Sequence, residues 1–96
     1  MLVKWLIEGS RGGVTRAKIL LLLREGPKNP HQLAKALNLN YRTITHHLKV
    51  LESHGLIVRL GEGYGSPYIL SEEADKSWSV LESSIMRVLE KKGEDK

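Results

Sequence analysis

The sequence predicts a mainly helical fold carrying one small β-hairpin. Three observations lead there. Apolar residues recur at helical spacing in separate stretches. Glycine, proline and asparagine fall where those stretches must stop and restart. Two short aliphatic runs flank a glycine-rich turn, Gly61-Glu62-Gly63-Tyr64-Gly65. With 96 residues, 41% of them hydrophobic and 27% charged, the chain is sized and composed as one globular domain, read here as residues 1–96.

The elements follow in order. Gly9, Gly12 and Gly13 set off Leu2–Glu8 as a short separate helix. A second helix is expected from about Thr15 to Arg24, stopped by Gly26-Pro27, because glycine suits the C-terminal cap and proline cannot continue the helix. Asn29-Pro30 opens a third: asparagine caps, proline fits the first helical position, and Gln32 stands where a capping box needs its acceptor. Leu33, Ala34 and Leu37 give it an apolar face. Asn38-Leu39-Asn40 makes a tight turn, and Asn40 caps a fourth helix from about Tyr41 to His54, ended by Gly55.

That fourth helix is the most informative segment. Thr43, Ile44 and Thr45 are consecutive β-branched residues, and propensity alone would allow a strand. Spacing decides otherwise, since Ile44, Leu48 and Leu51 fall within about 60° of one another on a helical wheel. Arg42, His46, Lys49 and Ser53 take the opposite side, with Thr43 and Thr45 flanking them. One face is aliphatic, the other basic and hydrogen-bonding.

Leu56–Leu60 and Ser66–Leu70 read as the two hairpin strands, with Pro67 on an edge. Ser71 caps a last helix whose first turn holds Glu72 and Glu73, where the helix dipole favours acids. Ala74, Trp78, Leu81, Ile85, Val88 and Leu89 form one apolar stripe along it, and Lys91–Lys96 reads as a frayed tail. Helix, helix, tight turn, helix, hairpin and a long final helix make a winged helix-turn-helix: a three-helix core, a wing and a C-terminal helix.

Charge points the same way. Residues 11–59 hold nine basic residues against Glu25 and Glu52, a net +7, whereas residues 60–96 carry −3, and the whole chain is +4. A basic core beside an acidic end suits a polyanion on one side. The outer face of the fourth helix stands where it can enter a major groove about 12 Å wide. Arg42 can reach guanine edges or phosphate, Thr43 and Thr45 phosphate, bases or a thymine methyl, and His46 an acceptor. Lys49 suits backbone phosphate, and Tyr41 sits beside the positive helix N-terminus. Arg59 and Tyr64 of the wing would lie near the backbone or minor groove.

Residues Leu37 to Ile57, and above all His47-Leu48-Lys49-Val50-Leu51-Glu52 followed by Gly55-Leu56-Ile57, resemble the ArsR-type winged-helix repressors. The resemblance covers about residues 14–73 and fits the archaeal-like members without metal-sensing cysteines. It implies a homodimeric, sequence-specific DNA-binding regulator, a repressor, with residues 14–71 as the DNA-binding core. It also implies dimerisation through helices at 1–10 and 72–92, here through Leu2, Trp5, Leu6, Trp78, Leu81, Ile85 and Leu89.

Other chemistry finds little support. There is no cysteine and no histidine after His54, so the metal sites of that family have no counterpart, and no metal or other cofactor is expected. His47 reads as a packed histidine rather than a ligand. The Gly61–Gly65 turn lacks the Lys-Ser/Thr ending of a phosphate loop, no serine sits in a nucleophile elbow, and the acids at 72–75 are explained by helix capping. No enzyme is expected. The longest apolar run, Ile19–Leu23, cannot span a membrane, and Met1–Ile7 is interrupted by Lys4 and does not read as a signal peptide; with no cysteine, a cytoplasmic setting is expected. An effector could sit between the last helix and the core, but no polar cluster marks a pocket and the effector is unknown. A protein-interaction module is the main alternative, since winged helices also serve assembly. RNA or non-specific chromatin binding is weaker, because five aromatic residues with no phenylalanine make a poor stacking platform.

Overall fold

The computed structural model describes residues 2–94, with side chains described from Val3 to Lys91. Helix α1 (Leu2–Lys4) runs directly into a π-helical turn over Trp5–Gly9. Helices α2 (Gly13–Glu25), α3 (Pro30–Leu37) and α4 (Tyr41–Ser53) follow, then strands β1 (Ile57–Arg59) and β2 (Tyr68–Leu70), then α5 (Glu72–Lys76) and α6 (Trp78–Glu94).

The caps expected from sequence are made. Asn29 accepts from the Gln32 backbone N–H at 2.8 Å while Gln32 Oε1 accepts from the Asn29 N–H at 2.8 Å, a complete capping box. Asn40 accepts from the Thr43 N–H at 2.7 Å. Asn38 ends α3 in the left-handed region (φ 57°), which asparagine tolerates better than most residues. Ser71 accepts from the Ala74 N–H and donates to the Gly55 carbonyl at 2.7 Å, tying α5 to the end of α4.

The hairpin is antiparallel, with Ile57 opposite Leu70, Val58 opposite Ile69 and Arg59 opposite Tyr68. The strands are shorter than the five-residue runs suggested, because Leu60 and Pro67 keep a single hydrogen bond and the chain then turns. A bridge from Lys28 to Tyr68 fastens β2 to the segment between α2 and α3.

One continuous core joins the elements. Leu20 and Leu23 of α2, Leu33 of α3, Ile44, Leu48 and Leu51 of α4, and Ile57 of β1 are buried together. Each such side chain contributes about 1.5–3 kcal/mol of transfer free energy.

Two expectations at the C-terminal end are corrected. The last helix is not continuous: Ser77 (φ −101°, ψ 21°) interrupts it, its N–H donating to the carbonyls of Glu73 and Asp75. Arg24 of α2 holds both sides of the break, pairing with Asp75 and lying 4.9 Å from the centroid of the Trp78 ring. The helix also continues through Lys91 to Glu94, so the expected tail is helical up to there; Asp95 and Lys96 lie outside the described residues.

Of the residues expected to form a dimer interface, three are used up within the single chain. Leu6, Leu81 and Ile85 are at most 2% exposed within the single chain, spent on packing α6 against α2 and the N-terminal turn. Trp78 and Leu89 are half-buried against the same core. Trp5 is exposed, as are Val80 and Met86, which the stripe did not include. The side chain of Leu2 lies outside the described residues. An apolar helical stripe shows that a face is covered, not whether its cover is the same chain or another copy.

Candidate nucleic-acid interface

Helix α4 sits at the surface because its aliphatic row is consumed by the core. Ile44, Leu48 and Leu51 are essentially inaccessible, and Arg42, His46, Lys49 and Ser53 on the far side are exposed. Among the described residues, neither Arg42 nor Lys49 pairs with a carboxylate. Thr43 is half-buried and lends its backbone N–H to Asn40. Thr45 is half-buried and donates its hydroxyl to the Arg42 carbonyl at 3.0 Å, so its methyl rather than its hydroxyl is the freer group.

The eight residues expected to face nucleic acid fall into two groups. Tyr41, Thr45 and Lys49, four apart along α4, line a groove of about 170 Å³ whose other wall is the wing, with Arg59, Tyr64 and Tyr68. Arg42, Thr43 and His46 lie outside that groove. The first group forms a basic, hydroxyl-rich trough and the second an open reading face. Burial and the Glu52 carboxylate hold the Tyr68 phenol above its ordinary range, so it remains a neutral donor at neutral pH.

The wing is braced from within. Arg59 donates through Nη2 to the carbonyls of Glu62 at 3.0 Å and Gly63 at 2.8 Å, and Ser66 donates to Gly63 at 2.6 Å. Nη2 of Arg59 is therefore spent on shaping the turn, while Arg59 itself remains exposed. Tyr64 is 82% exposed, yet its hydroxyl lies 2.8 Å from Nε2 of His31. His31 in turn stacks on Tyr41, ring centroids 4.6 Å apart.

His31 was not singled out by sequence reasoning, nor was Arg16. Arg16 of α2 is 5% exposed, and burial lowers its pKa, though a guanidinium stays charged from so high a starting value. It has no carboxylate partner among the described residues. Instead it donates to the Leu6 carbonyl at 3.2 Å, the Arg11 carbonyl at 3.0 Å, Ser10 Oγ at 2.6 Å and Nδ1 of His47 at 3.2 Å. An arginine offers only donors, so Nδ1 must accept, and His47 is neutral with its proton on Nε2. Burial first, then the Arg16 and His46 charges, push the His47 pKa below the usual imidazole value. The expectation of a packed histidine agrees with this geometry; its partner, 31 residues away, had no local signal.

Two glycines permit this junction. A Cβ on Gly12, whose φ is +91°, would stand 2.7 Å from Cε1 of His47, and one on Gly13 would stand 1.9 Å from the Ile7 carbonyl oxygen. The N-terminal turn thus presses directly on the start of α2.

Elsewhere, a groove of about 220 Å³ between the N-terminal helix and α5–α6 is lined by Val3, Leu56, Val80 and Leu81, with His54 and Glu73 at its edge. No group of three or more potential metal ligands occurs among the described residues. No helix among them is long and apolar enough to cross a membrane.

Comparison with known proteins agrees with this architecture. Residues 13–58 match the model of the bacterial regulatory protein arsR family. No curated protein matches the chain. Among solved structures, it resembles the homodimeric winged helix-turn-helix DNA-binding domain Mb0332 of Mycobacterium bovis, a possible ArsR-family transcriptional regulator. That match has 27% identity and a TM-score of 0.64, covering 72% of this chain and 65% of that one. Transcriptional regulator Tm0710 of Thermotoga maritima matches at 22% identity and TM-score 0.64, over 84% of this chain and 60% of that one. ZitR of Lactococcus lactis, solved in complex with DNA, matches at 23% identity and TM-score 0.62, over 84% of this chain and 57% of that one. The chain thus spans less than two thirds of the length of these three structures, and the last two likenesses show the fold alone.

Proposed function

We propose that this chain, whose residues 13–58 carry an ArsR-type helix-turn-helix, is a sequence-specific DNA-binding transcription regulator that acts as a homodimeric repressor. The family match and the winged-helix neighbours support the coarser statement, a DNA-binding transcription regulator. The observation that carries the DNA-binding reading is the exposed face of α4. Arg42, His46 and Lys49 stand in the open, with no carboxylate pairing for the two basic residues among the described ones, on a helix whose opposite face is locked into the core. Such a face pairs with phosphates and base edges and has no role in holding the fold.

In this reading Arg42 and His46 read bases, Lys49 and Tyr41 grip the backbone beside the wing, and Thr43 and Thr45 fill the approach between them. Arg59 shapes the wing and Tyr64 carries its contact. A second copy would supply a second α4 about 34 Å away, one helical turn along a near-palindromic site. The dimer contact falls to the exposed groups of the terminal helices, Trp5, Val80 and Met86, with half-buried Trp78 and Leu89 at its edge. Repression follows by occlusion of the promoter, with no cofactor. Residues 1–96 work as one domain in the cytoplasm.

The test is retention of fragmented genomic DNA from the source organism at ~150 mM salt, where non-specific binding is weak, followed by sequencing. An enriched palindrome is the expected result. Retention without a shared motif would replace the regulator by an architectural binder, and no retention would favour an interaction module.

A further inference from the structure

The wing is held to the helical body at its base by the Lys28–Tyr68 bridge of β2, and nearer its tip by a contact that the strands do not supply. Beyond the Leu60–Pro67 pair, the carbonyls of the turn accept, among the described residues, from Arg59 and Ser66 of the wing itself. Three-residue strands are too short to fix the direction of a five-residue turn. Among the described residues, one side-chain hydrogen bond crosses from that turn to the helices: Nε2 of His31 to the Tyr64 hydroxyl, at 2.8 Å. The His31 ring also lies 4.6 Å from the Tyr41 ring and 5.5 Å from the Tyr64 ring, and the two tyrosines are 6.3 Å apart. Three rings from α3, α4 and the wing thus meet, and two of them, Tyr41 and Tyr64, also line the groove that holds Lys49 and Arg59.

We propose that His31 is a positioning residue for DNA recognition: it clasps the wing through Tyr64 and the reading helix through Tyr41, and so sets the distance between the two DNA-facing elements. The clasp deepens the DNA-binding reading of α4 and rests on it. His31 sits in the first turn of α3, whose capping box and proline hold it rigid, so the wing is referenced to a fixed point. With the clasp made, the wing lies against the duplex at one spacing from α4. With it broken, the turn swings on its short strands and ordering it becomes part of the cost of binding. The dependence falls on the flanking base pairs beneath the wing, not on those read by Arg42 and His46.

The experiment has an arm without DNA and an arm with it, both on the full chain. His31→Phe and Tyr64→Phe each keep a ring and remove the hydrogen bond from one end. Amide hydrogen exchange at Leu60 and Ser66 is expected to quicken by about fivefold in either variant and no further in the double variant, while exchange in α2 stays unchanged. Duplexes are then taken from the enriched genomic fragments, one with its natural flanks and one trimmed to the bases under α4. In His31→Phe, affinity for the flanked duplex should fall about three- to tenfold, and affinity for the trimmed duplex should not change. Unchanged wing exchange would overturn the clasp whatever the DNA arm shows. Equal losses on both duplexes, or additive effects in the double variant, would overturn the positioning role. A wild-type chain that retains no duplex would overturn the reading beneath it, and the DNA-free arm separates that failure from failure of the clasp.

Discussion

The two sides of this molecule use their polar residues in opposite ways. On the side of α4 and the wing, Arg42, His46 and Lys49 are exposed. On the side where the N-terminal turn meets α2, Arg16 is almost fully buried and bonded to four acceptors, one of them the neighbour of His46 in sequence. Adjacent histidines therefore serve different ends: His46 is offered outward and His47 is bonded inward. The lesson is that helix α4 is a structural beam on one face and an open basic surface on the other, and a single residue step separates the two. Changes on the inner side should show as stability, and changes on the outer side as affinity.

The largest expected effect breaks the inner side. Gly13→Ala drives a Cβ into the Ile7 carbonyl, a backbone atom that cannot rotate away, and should destabilise by about 3 kcal/mol, read as a fall in denaturation midpoint. Next, Arg16→Met keeps the bulk but strands the Leu6 and Arg11 carbonyls and Nδ1 of His47, and should cost about 2–3 kcal/mol in the same measurement. If either variant kept its midpoint and lost DNA affinity instead, the division between the two sides would fail.

On the outer side, Arg42→Ala should leave the melting temperature alone and lose about 1–3 kcal/mol of binding, with relaxed preference at one base pair, as scored by competition among single-base variants of the site. The pH dependence of folding sharpens the contrast between neighbours. The folded-state pKa of His47 is depressed, so the unfolded chain takes up that proton first as pH falls. Stability from this group is fully present above the ordinary imidazole value near 6.5 and is lost as pH drops from there toward the lowered folded value. His47→Gln should flatten that slope in urea titrations between about pH 7 and 5. Smallest of all, Lys49→Ala should weaken binding to all sequences alike and reduce the salt slope by about one, as read from affinities at several salt concentrations.

How much of this was legible depended on distance along the chain. The capping box at Asn29–Gln32, the Asn40 cap and the outward row of Arg42, His46 and Lys49 all follow from residues within one or two helical turns. The terminal helices were legible as helices but not in their roles. Leu6, Leu81 and Ile85 carry the same apolar pattern whether they cover their own core or a second copy, and the fold uses them for itself. The break at Ser77 also escaped, because an unbroken stripe of apolar residues ran across it.

By itself, then, the sequence determined the order of the helices and the hairpin, the caps at Asn29, Asn40 and Ser71, and which face of α4 points outward. Those features depend on backbone conformation, capping and periodicity, all of which act over a few residues. Only the tertiary structure decided that Arg16 meets His47 across 31 residues and that His31 meets Tyr64 across 33. Hydrogen bonds between distant side chains are short and directional, so they depend on how whole elements pack, and no local pattern encodes that packing.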